Sequence, residues 1–157
     1  MSRFVADHLP APLQSALSED HAREDANRAL VICTADETGW PHPAMLSSYE
    51  VVAIDARNVR LATHVSSRTT RNMKANGRLT LILVDAGIAY YVKGDVLLLS
   101  ASMRSSPALA KFNLRVDSVL ADDPQASEDA RITSGITVER GLVDQAAVAA
   151  VLDELVR

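Results

Sequence analysis

Short segments rich in β-branched and aliphatic residues follow one another along most of this chain, and turn residues separate them. In VRLATHV (59–65) apolar and polar residues alternate with the two-residue period of a half-buried strand. Strand-like runs occupy 28–35, 44–54, 59–65, 78–84, 88–101, 115–121 and 131–138. Six or seven short strands with few helices predict a mainly β, antiparallel barrel and not a parallel α/β fold.

Gly94 interrupts the longest of these runs, and four helical segments complete the prediction. A glycine inside a strand lets the backbone bend, so a β-bulge or barrel corner is expected there. Helices are predicted at about 8–25, 66–77, 106–113 and 144–156. The second would end at Asn76 and Gly77, and the third would begin at Ser106 and Pro107. A polar loop is expected between 122 and 130.

Composition and charge describe one globular domain over residues 1–157. Hydrophobic residues make up 48% of the chain and charged residues 23%, and the formal net charge is -4. An acidic chain with scattered charges is not expected to bind nucleic acid or anionic membranes. No apolar run reaches the roughly 20 residues of a membrane span, and the N-terminus lacks the apolar core of a signal peptide, so a cytoplasmic location is expected. Cys33, the single cysteine, is predicted to be a buried core thiol.

The stretch THVSSRTTRN (63–72) places hydroxyls and arginines where a helix should begin. Ser66 or Ser67 can cap the helix, but cations in the first turn meet the positive end of its dipole, at a cost of about 0.3 to 1 kcal/mol. An anion would offset that cost, because free N–H groups, hydroxyls and the Arg68 guanidinium together suit a phosphate. The alternative is an exposed basic helix whose arginines, Arg68 and Arg71, pair with acidic residues elsewhere.

Other chemistries lack their usual sequence signatures. The chain contains neither G-x-G-x-x-G nor G-x-x-x-x-G-K-[ST], so it has no standard dinucleotide or P-loop motif. Its four histidines are isolated and there is no cysteine pair, so no metal site is expected. No nucleophile elbow occurs either, and the catalytic residues stay unknown.

The order of these elements, together with THVSSRTTRNMKANG, resembles the pyridoxamine 5'-phosphate oxidase-like family of FMN-binding split barrels. The similarity spans roughly residues 28–138. The family's strand-end threonine, Ser-Arg pair and helix stop fall on Thr63, Ser67 with Arg68, and Asn76 with Gly77. The resemblance implies a single split-barrel domain with six to seven antiparallel strands and short helices.

The same resemblance implies FMN as the cofactor and a set of residues that hold it. Ser67 and Arg68 would bind the phosphate, and Ser47 would lie along the isoalloxazine ring. The implied cofactor contacts are Ser47, Ala62, Thr63, Ser67, Arg68 and Thr69. Family members are usually homodimers with the flavin at the interface. The implied activity is oxidation or reduction of a small molecule, with hydride passing through the flavin.

Three departures from the family pattern argue against an authentic pyridoxamine phosphate oxidase. Thr69 replaces a basic residue, Ala89 replaces a glutamine, and the second strand reads MLSSY where the family is arginine-rich. One alternative is therefore a non-enzymatic binder or sensor of flavin, deazaflavin or haem. Another is a structural dimer with an empty site.

Overall fold

The computed structural model describes residues 2–123 and 130–157. Its strands are β1 (Arg3–Ala6), β2 (Ala29–Ala35), β3 (Pro41–Ser47), β4 (Val51–Ala53), β5 (Asn58–His64), β6 (Arg78–Asp85), β7 (Ile88–Ser100) and β8 (Leu109–Asp122). Its helices are α1 (Ala11–Ala16), α2 (Glu19–Glu24), α3 (Arg68–Asn76) and α4 (Gln145–Val156), with a single 3-10 turn at Ser48–Glu50.

Seven antiparallel strands form one curled sheet in the order β3-β2-β6-β7-β8-β5-β4, and β1 adds to it by pairing with β8. The predicted antiparallel split-barrel fold is confirmed. The two longest strands, β7 and β8, pair over most of their length, and their register shifts between Lys93 and Gly94 and again between Leu98 and Ser100. The first shift is the irregularity that Gly94 predicted.

Alternating side chains explain why the sheet curls around a core. In β8, Ala110, Phe112 and Leu114 are buried on the concave face, whereas Arg115 and Asp117 are exposed. Leu61 of β5 and Leu81 of β6 join the same cluster. Complete burial of one such aliphatic or aromatic side chain contributes about 1.5 to 3 kcal/mol to folding.

Helix α4 builds a second apolar cluster on the convex face of β4 and β5. Its stripe Val148, Val151, Leu152 and Leu155 is buried, as the 3.6-residue period predicted. Asp144 is the N-cap of this helix, and its carboxylate accepts hydrogen bonds from the N–H groups of residues 146 and 147. The cluster also contains Ala62, which is fully buried.

Two predicted elements are wrong. Residues 106–113 do not form a helix, because Pro107 lies in a turn and β8 starts at Leu109, where ladders to β5 and β7 supply its backbone partners. Residues 131–138 do not form a strand, since only one isolated bridge joins Thr137 to Arg28. In both segments tertiary pairing, or its absence, overrode a local pattern.

Smaller differences concern the edges of the sheet. The run 44–54 is broken by the 3-10 turn, which separates β3 from β4, and strand β1 was not predicted. Cys33 is partly exposed on the convex face and is not the core thiol that was expected. Most of the expected polar loop at 122–130 lies outside the described residues. None of the helices in the described part of the chain is long and apolar enough to cross a membrane.

Gly94 gives a direct test of the β7–β8 bend. A Cβ atom at Gly94 would lie 2.0 Å from the backbone oxygen of Arg115, and backbone cannot move aside cheaply. We therefore expect Gly94→Ala to lower the free energy of unfolding by about 2 kcal/mol, measured by urea denaturation. Gly141→Ala is the matched control, because nothing lies within 4 Å of its added Cβ. Equal midpoints for both variants would contradict this account of the bend.

Candidate functional site

The junction between β5 and α3 is where the sequence predicted a ligand. Strand β5 ends at His64, and the chain turns into α3 with Ser67 as its N-cap. The Ser67 Oγ accepts a hydrogen bond from the backbone N–H of Thr70 at 3.1 Å. Ser66 is exposed, and its hydroxyl lies 3.0 Å from His64 Nδ1. The two cap candidates are thus resolved in favour of Ser67.

Three hydroxyls tie the start of α3 to the end of β5. Thr70 Oγ1 donates to the backbone oxygen of His64 at 2.8 Å, so its single proton is used there. Thr63 Oγ1, 2.6 Å from Thr70 Oγ1, must then be the donor in that pair. Ser67 Oγ donates to the same Thr70 oxygen at 3.2 Å. Thr63 and Thr70 are buried, so this network holds the helix in place on the strand.

The inner face of α3 is anchored on the end of β2. Asn72 donates to Thr34 Oγ1 at 3.0 Å, and Asn76 donates to the backbone oxygen of Ala35 at 2.6 Å. Met73 packs into the main core. The helix ends at Gly77, which adopts the left-handed conformation, with φ 63°, that the sequence predicted for this position. These contacts fix which residues of α3 face solvent.

The outer face of the first two turns of α3 carries positive charge that forms no ion pair among the described residues. Arg68 and Arg71 are exposed, and none of the ion pairs in residues 2–123 and 130–157 involves either of them. Within the same residues no protein acceptor contacts the N–H groups of Arg68 and Thr69. The start of α3 therefore combines two guanidinium groups with two free N–H groups at the positive end of a helix dipole.

Acidic side chains lie across a cleft of about 360 Å³ from these arginines. They are Asp36 and Glu37 in the β2–β3 turn, the arrangement that the alternative interpretation requires. However, neither Asp36 nor Glu37 forms an ion pair with Arg68 or Arg71 among the described residues. The Oδ1 of Asp36 is held within its own turn, where it accepts from the Thr38 hydroxyl at 2.7 Å and from the Trp40 N–H at 3.0 Å. The Thr38 hydrogen bond is the main reason why the pKa of Asp36 is lowered, and the charge of Arg68 adds a smaller effect.

The structure brings four of the six predicted cofactor residues together. Thr63, Ser67, Arg68 and Thr69 lie at the β5–α3 junction, although the side chain of Thr69 is buried. Ala62 faces the opposite side of β5, where α4 covers its side chain. Contact between Ala62 and a ligand would therefore have to use its backbone.

Ser47 lies elsewhere in the same chain. Thr34, which contacts α3, pairs with His42 of β3, and Ser47 comes five residues later, about 16 Å along an extended strand. Its hydroxyl accepts a hydrogen bond from Arg140 at 2.6 Å. Its N–H donates to Glu50, whose pKa is raised by burial. Within one chain, Ser47 is therefore not part of the β5–α3 junction.

Sequence reasoning missed several neighbours of these residues. Asp36 and Arg140 belong to a turn and to an irregular segment that are distant along the chain, so no local pattern marked them. Arg140 also donates to the backbone oxygen of Ala26 at 2.8 Å and lies over the Tyr49 ring, 5.5 Å from its centre. Thr70 was within the singled-out stretch, and the three-residue spacing from Ser67 that defines an N-cap pair was the available signal.

Comparison with known proteins identifies the family to which this chain belongs. The family model described as pyridoxamine 5'-phosphate oxidase matches residues 18–134, which include the whole of β2 to β8. The chain belongs to the pyridoxamine 5'-phosphate oxidase-like family. This oxidase-like chain is also 30% identical over 116 residues to the uncharacterized protein YclD of Bacillus subtilis, an alignment that covers 74% of this chain and 73% of YclD.

Solved structures support the same fold for the oxidase-like chain. A Lactobacillus delbrueckii protein with a provisional assignment as a pyridoxamine 5'-phosphate oxidase superposes with a TM-score of 0.58 at 15% identity, covering 76% of this chain and 98% of its own. General Stress Protein 26 from Bacillus anthracis gives a TM-score of 0.51 at 14% identity, with 72% and 95% coverage. At these identities the similarity establishes the fold alone.

Substitution of two adjacent serines tests the assignment of Ser67 as the N-cap. Ser67→Ala removes the acceptor for the Thr70 N–H, so we expect the free energy of unfolding to fall by about 1 kcal/mol in urea denaturation. Ser66→Ala is the control and should stay within about 0.5 kcal/mol of the parent chain, as exposed substitutions usually do. If Ser66→Ala had the larger effect, the cap would be misassigned.

Proposed function

We propose that this oxidase-like protein binds FMN and places the phosphate of FMN at the start of α3. The observation that carries the proposal is the first turn of α3, where Arg68 is exposed, has no ion-pair partner in the described residues, and lies beside two unpaired N–H groups. A phosphate neutralises both the guanidinium and the positive end of the helix dipole. A planar guanidinium also binds two phosphate oxygens at once.

Only some polar groups of the β5–α3 junction are available to bind a phosphate. The hydroxyls of Thr63 and Ser67 are already used within the β5–α3 network, and Thr69 is buried. The Arg68 guanidinium and the N–H groups of the first turn are therefore the groups available to the ligand. Arg71, one turn further along the exposed face, can supply a second positive charge.

A flat ring next to this phosphate needs apolar walls that the exposed junction does not supply by itself. Trp40, in the turn before β3, is 73% exposed, and Met45 on β3 is 63% exposed. The backbone of Trp40 contacts Asp36, which lines the cleft beside Arg68. Large apolar side chains left in water near a ligand site are typical of surfaces that a partner covers. We propose that this partner is a second copy of the chain, in a homodimer with the flavin between the copies.

The proposed activity is oxidation or reduction of a small molecule. FMN, when bound, would supply hydride transfer through its ring, and the protein would position the ring and exclude water. No acid or base among the described residues is assigned to this chemistry. Thr69 and Ala89 stand where the family has a basic residue and a glutamine, so the proposed reaction is not pyridoxamine phosphate oxidation.

The phosphate site predicts a difference between two flavins. Arg68→Ala should weaken FMN binding at least tenfold, because a hydrogen bond to a charged group contributes about 1.5 to 3 kcal/mol. Riboflavin, which lacks the phosphate, should bind the parent chain and the variant equally. Quenching of flavin fluorescence measures both affinities. Lys74→Ala is the control, since Lys74 is exposed in the last turn of the same helix. Equal FMN affinity in Arg68→Ala and the parent chain would rule out the site.

Turnover is tested separately from binding. With FMN bound, NADPH or NADH under anaerobic conditions should remove the flavin absorbance near 450 nm, and a small electron acceptor should restore it. Arg68→Ala should lose this reduction at limiting FMN and recover it at saturating FMN, because the arginine binds the cofactor and does not react. Persistent absorbance with both donors and a broad panel of acceptors would instead indicate a non-enzymatic flavin binder.

A further inference from the structure

The cleft beside Arg68 has one positive wall and one negative wall. Arg68 and Arg71 of α3 form the positive wall, and Asp36 and Glu37 of the β2–β3 turn form the negative wall. None of these four side chains takes part in an ion pair among the described residues. The other side chains that line the cleft are uncharged. Two positive and two negative charges cancel, so the formal charge of the cleft is zero.

Hydrogen bonds fix the spacing between the two walls. Asn76 of α3 donates to the backbone oxygen of Ala35 at 2.6 Å, and Ala35 immediately precedes Asp36. The turn that carries the acidic wall is closed by its own backbone. The Asp36 N–H donates to the Trp40 oxygen at 2.9 Å, and the Gly39 N–H donates to the Asp36 oxygen at 3.0 Å. The acidic wall therefore cannot move away from α3 without loss of these hydrogen bonds.

The two carboxylates of the acidic wall differ in what else they do. Asp36 is held in its turn, and its pKa is lowered mainly by the Thr38 hydrogen bond and to a smaller extent by the charge of Arg68. The contribution of Arg68 places the two walls within electrostatic range of each other. Glu37 is exposed, and no hydrogen bond or ion pair in residues 2–123 and 130–157 uses its carboxylate. Its charge is therefore free to act on a ligand.

A single phosphate makes the charge of this cleft negative. A phosphate monoester carries a charge of about -1.5 to -2 at pH 7, and the cleft has no excess positive charge to balance it. In a pyrophosphate the second phosphate shares an oxygen with the first, so it must lie within reach of the same two walls. There it would meet Arg71 but also the two carboxylates. Unfavourable contacts between like charges are a common way in which a site rejects the wrong ligand.

We propose that the acidic wall restricts the site to ligands that carry a single phosphate, with Glu37 as the residue that determines this specificity. The inference rests on the proposed function, because it takes the FMN phosphate to lie at the start of α3. It predicts that the site selects FMN against FAD and against other ligands that contain a pyrophosphate. Glu37 carries the role because its carboxylate is free, whereas the carboxylate of Asp36 also closes its own turn.

Inorganic phosphate and pyrophosphate test the inference without the flavin ring. The full chain is titrated with each anion at constant ionic strength and without divalent cations, and binding is followed by phosphorus NMR. Two guanidinium groups alone would favour pyrophosphate, which has the higher charge, but we expect the parent chain to bind pyrophosphate no more tightly than phosphate. Glu37→Gln should raise the affinity for pyrophosphate about threefold more than the affinity for phosphate, the size expected for one unit charge across a solvated cleft.

Two further variants and a second pair of ligands sharpen the test. Glu37→Lys reverses the charge and should enlarge the change in relative affinity to about tenfold. Glu139→Gln is the matched control, since Glu139 is an exposed glutamate in the segment before α4, and it should leave the relative affinity unchanged. In equilibrium dialysis, Glu37→Gln should also reduce the preference of the chain for FMN over FAD by about threefold.

The outcomes separate this inference from the proposed function. If phosphate binding is lost in Arg68→Ala but the relative affinity for the two anions is the same in Glu37→Gln and the parent, the acidic wall has no selective role and only this inference is overturned. Tighter binding of pyrophosphate than of phosphate by the parent chain also overturns it. If Arg68→Ala leaves both affinities unchanged, anions do not bind at α3 and both proposals fail. Glu37 is exposed, so its substitution is not expected to affect folding.

Discussion

The pairing of strand β8 with its neighbours is the interaction on which the rest of the sheet depends. Strand β8 pairs with β1, β5 and β7, and its alternate residues place Phe112 and Leu114 at the centre of the core. In the sheet β8 lies between β7 and β5, and its first residue, Leu109, pairs with His64, the last residue of β5. The bend at Gly94 lies in the β7–β8 pair. The β5–α3 junction is therefore positioned by the pairing of β5 with β8.

At that junction the chain accepts an unfavourable electrostatic arrangement. Cations in the first turn of a helix typically cost about 0.3 to 1 kcal/mol, and the structure does not remove this cost with an ion pair to Arg68. Ser67 and the two buried threonines hold the helix start rigidly, so the charge cannot relax by fraying. A rigid, exposed and positive helix start is the physical basis of the proposed phosphate site.

The two faces of the β5–β8 pair carry different kinds of positive charge. On the concave side Arg68 is exposed and ready to meet a ligand from solvent. On the convex side Lys111 is buried at the C-terminal end of α4, where its ammonium donates to the Glu154 carbonyl and interacts with the Glu154 carboxylate. An exposed cation costs little when it is alone, whereas a buried one is expensive, so Lys111 depends on these contacts with α4. The same helix that buries Lys111 also covers the side chain of Ala62.

Local patterns in the sequence were enough to predict the strands β2 and β5 to β7, because these depend on periodicity. They also predicted the N-cap at the Ser66–Ser67 pair, the helix end at Gly77 and the irregularity at Gly94, because each depends on the preference of one or two residues. The Ser106-Pro107 signal was misleading, since the ladders from β8 to β5 and β7 outweigh a helix start. Distances between segments were not available from the sequence. Only the tertiary structure placed Ser47 away from the α3 contact, put Ala62 beneath α4 and buried Lys111 beside Arg60. These side-chain surroundings are set by contacts between residues that are far apart in the chain.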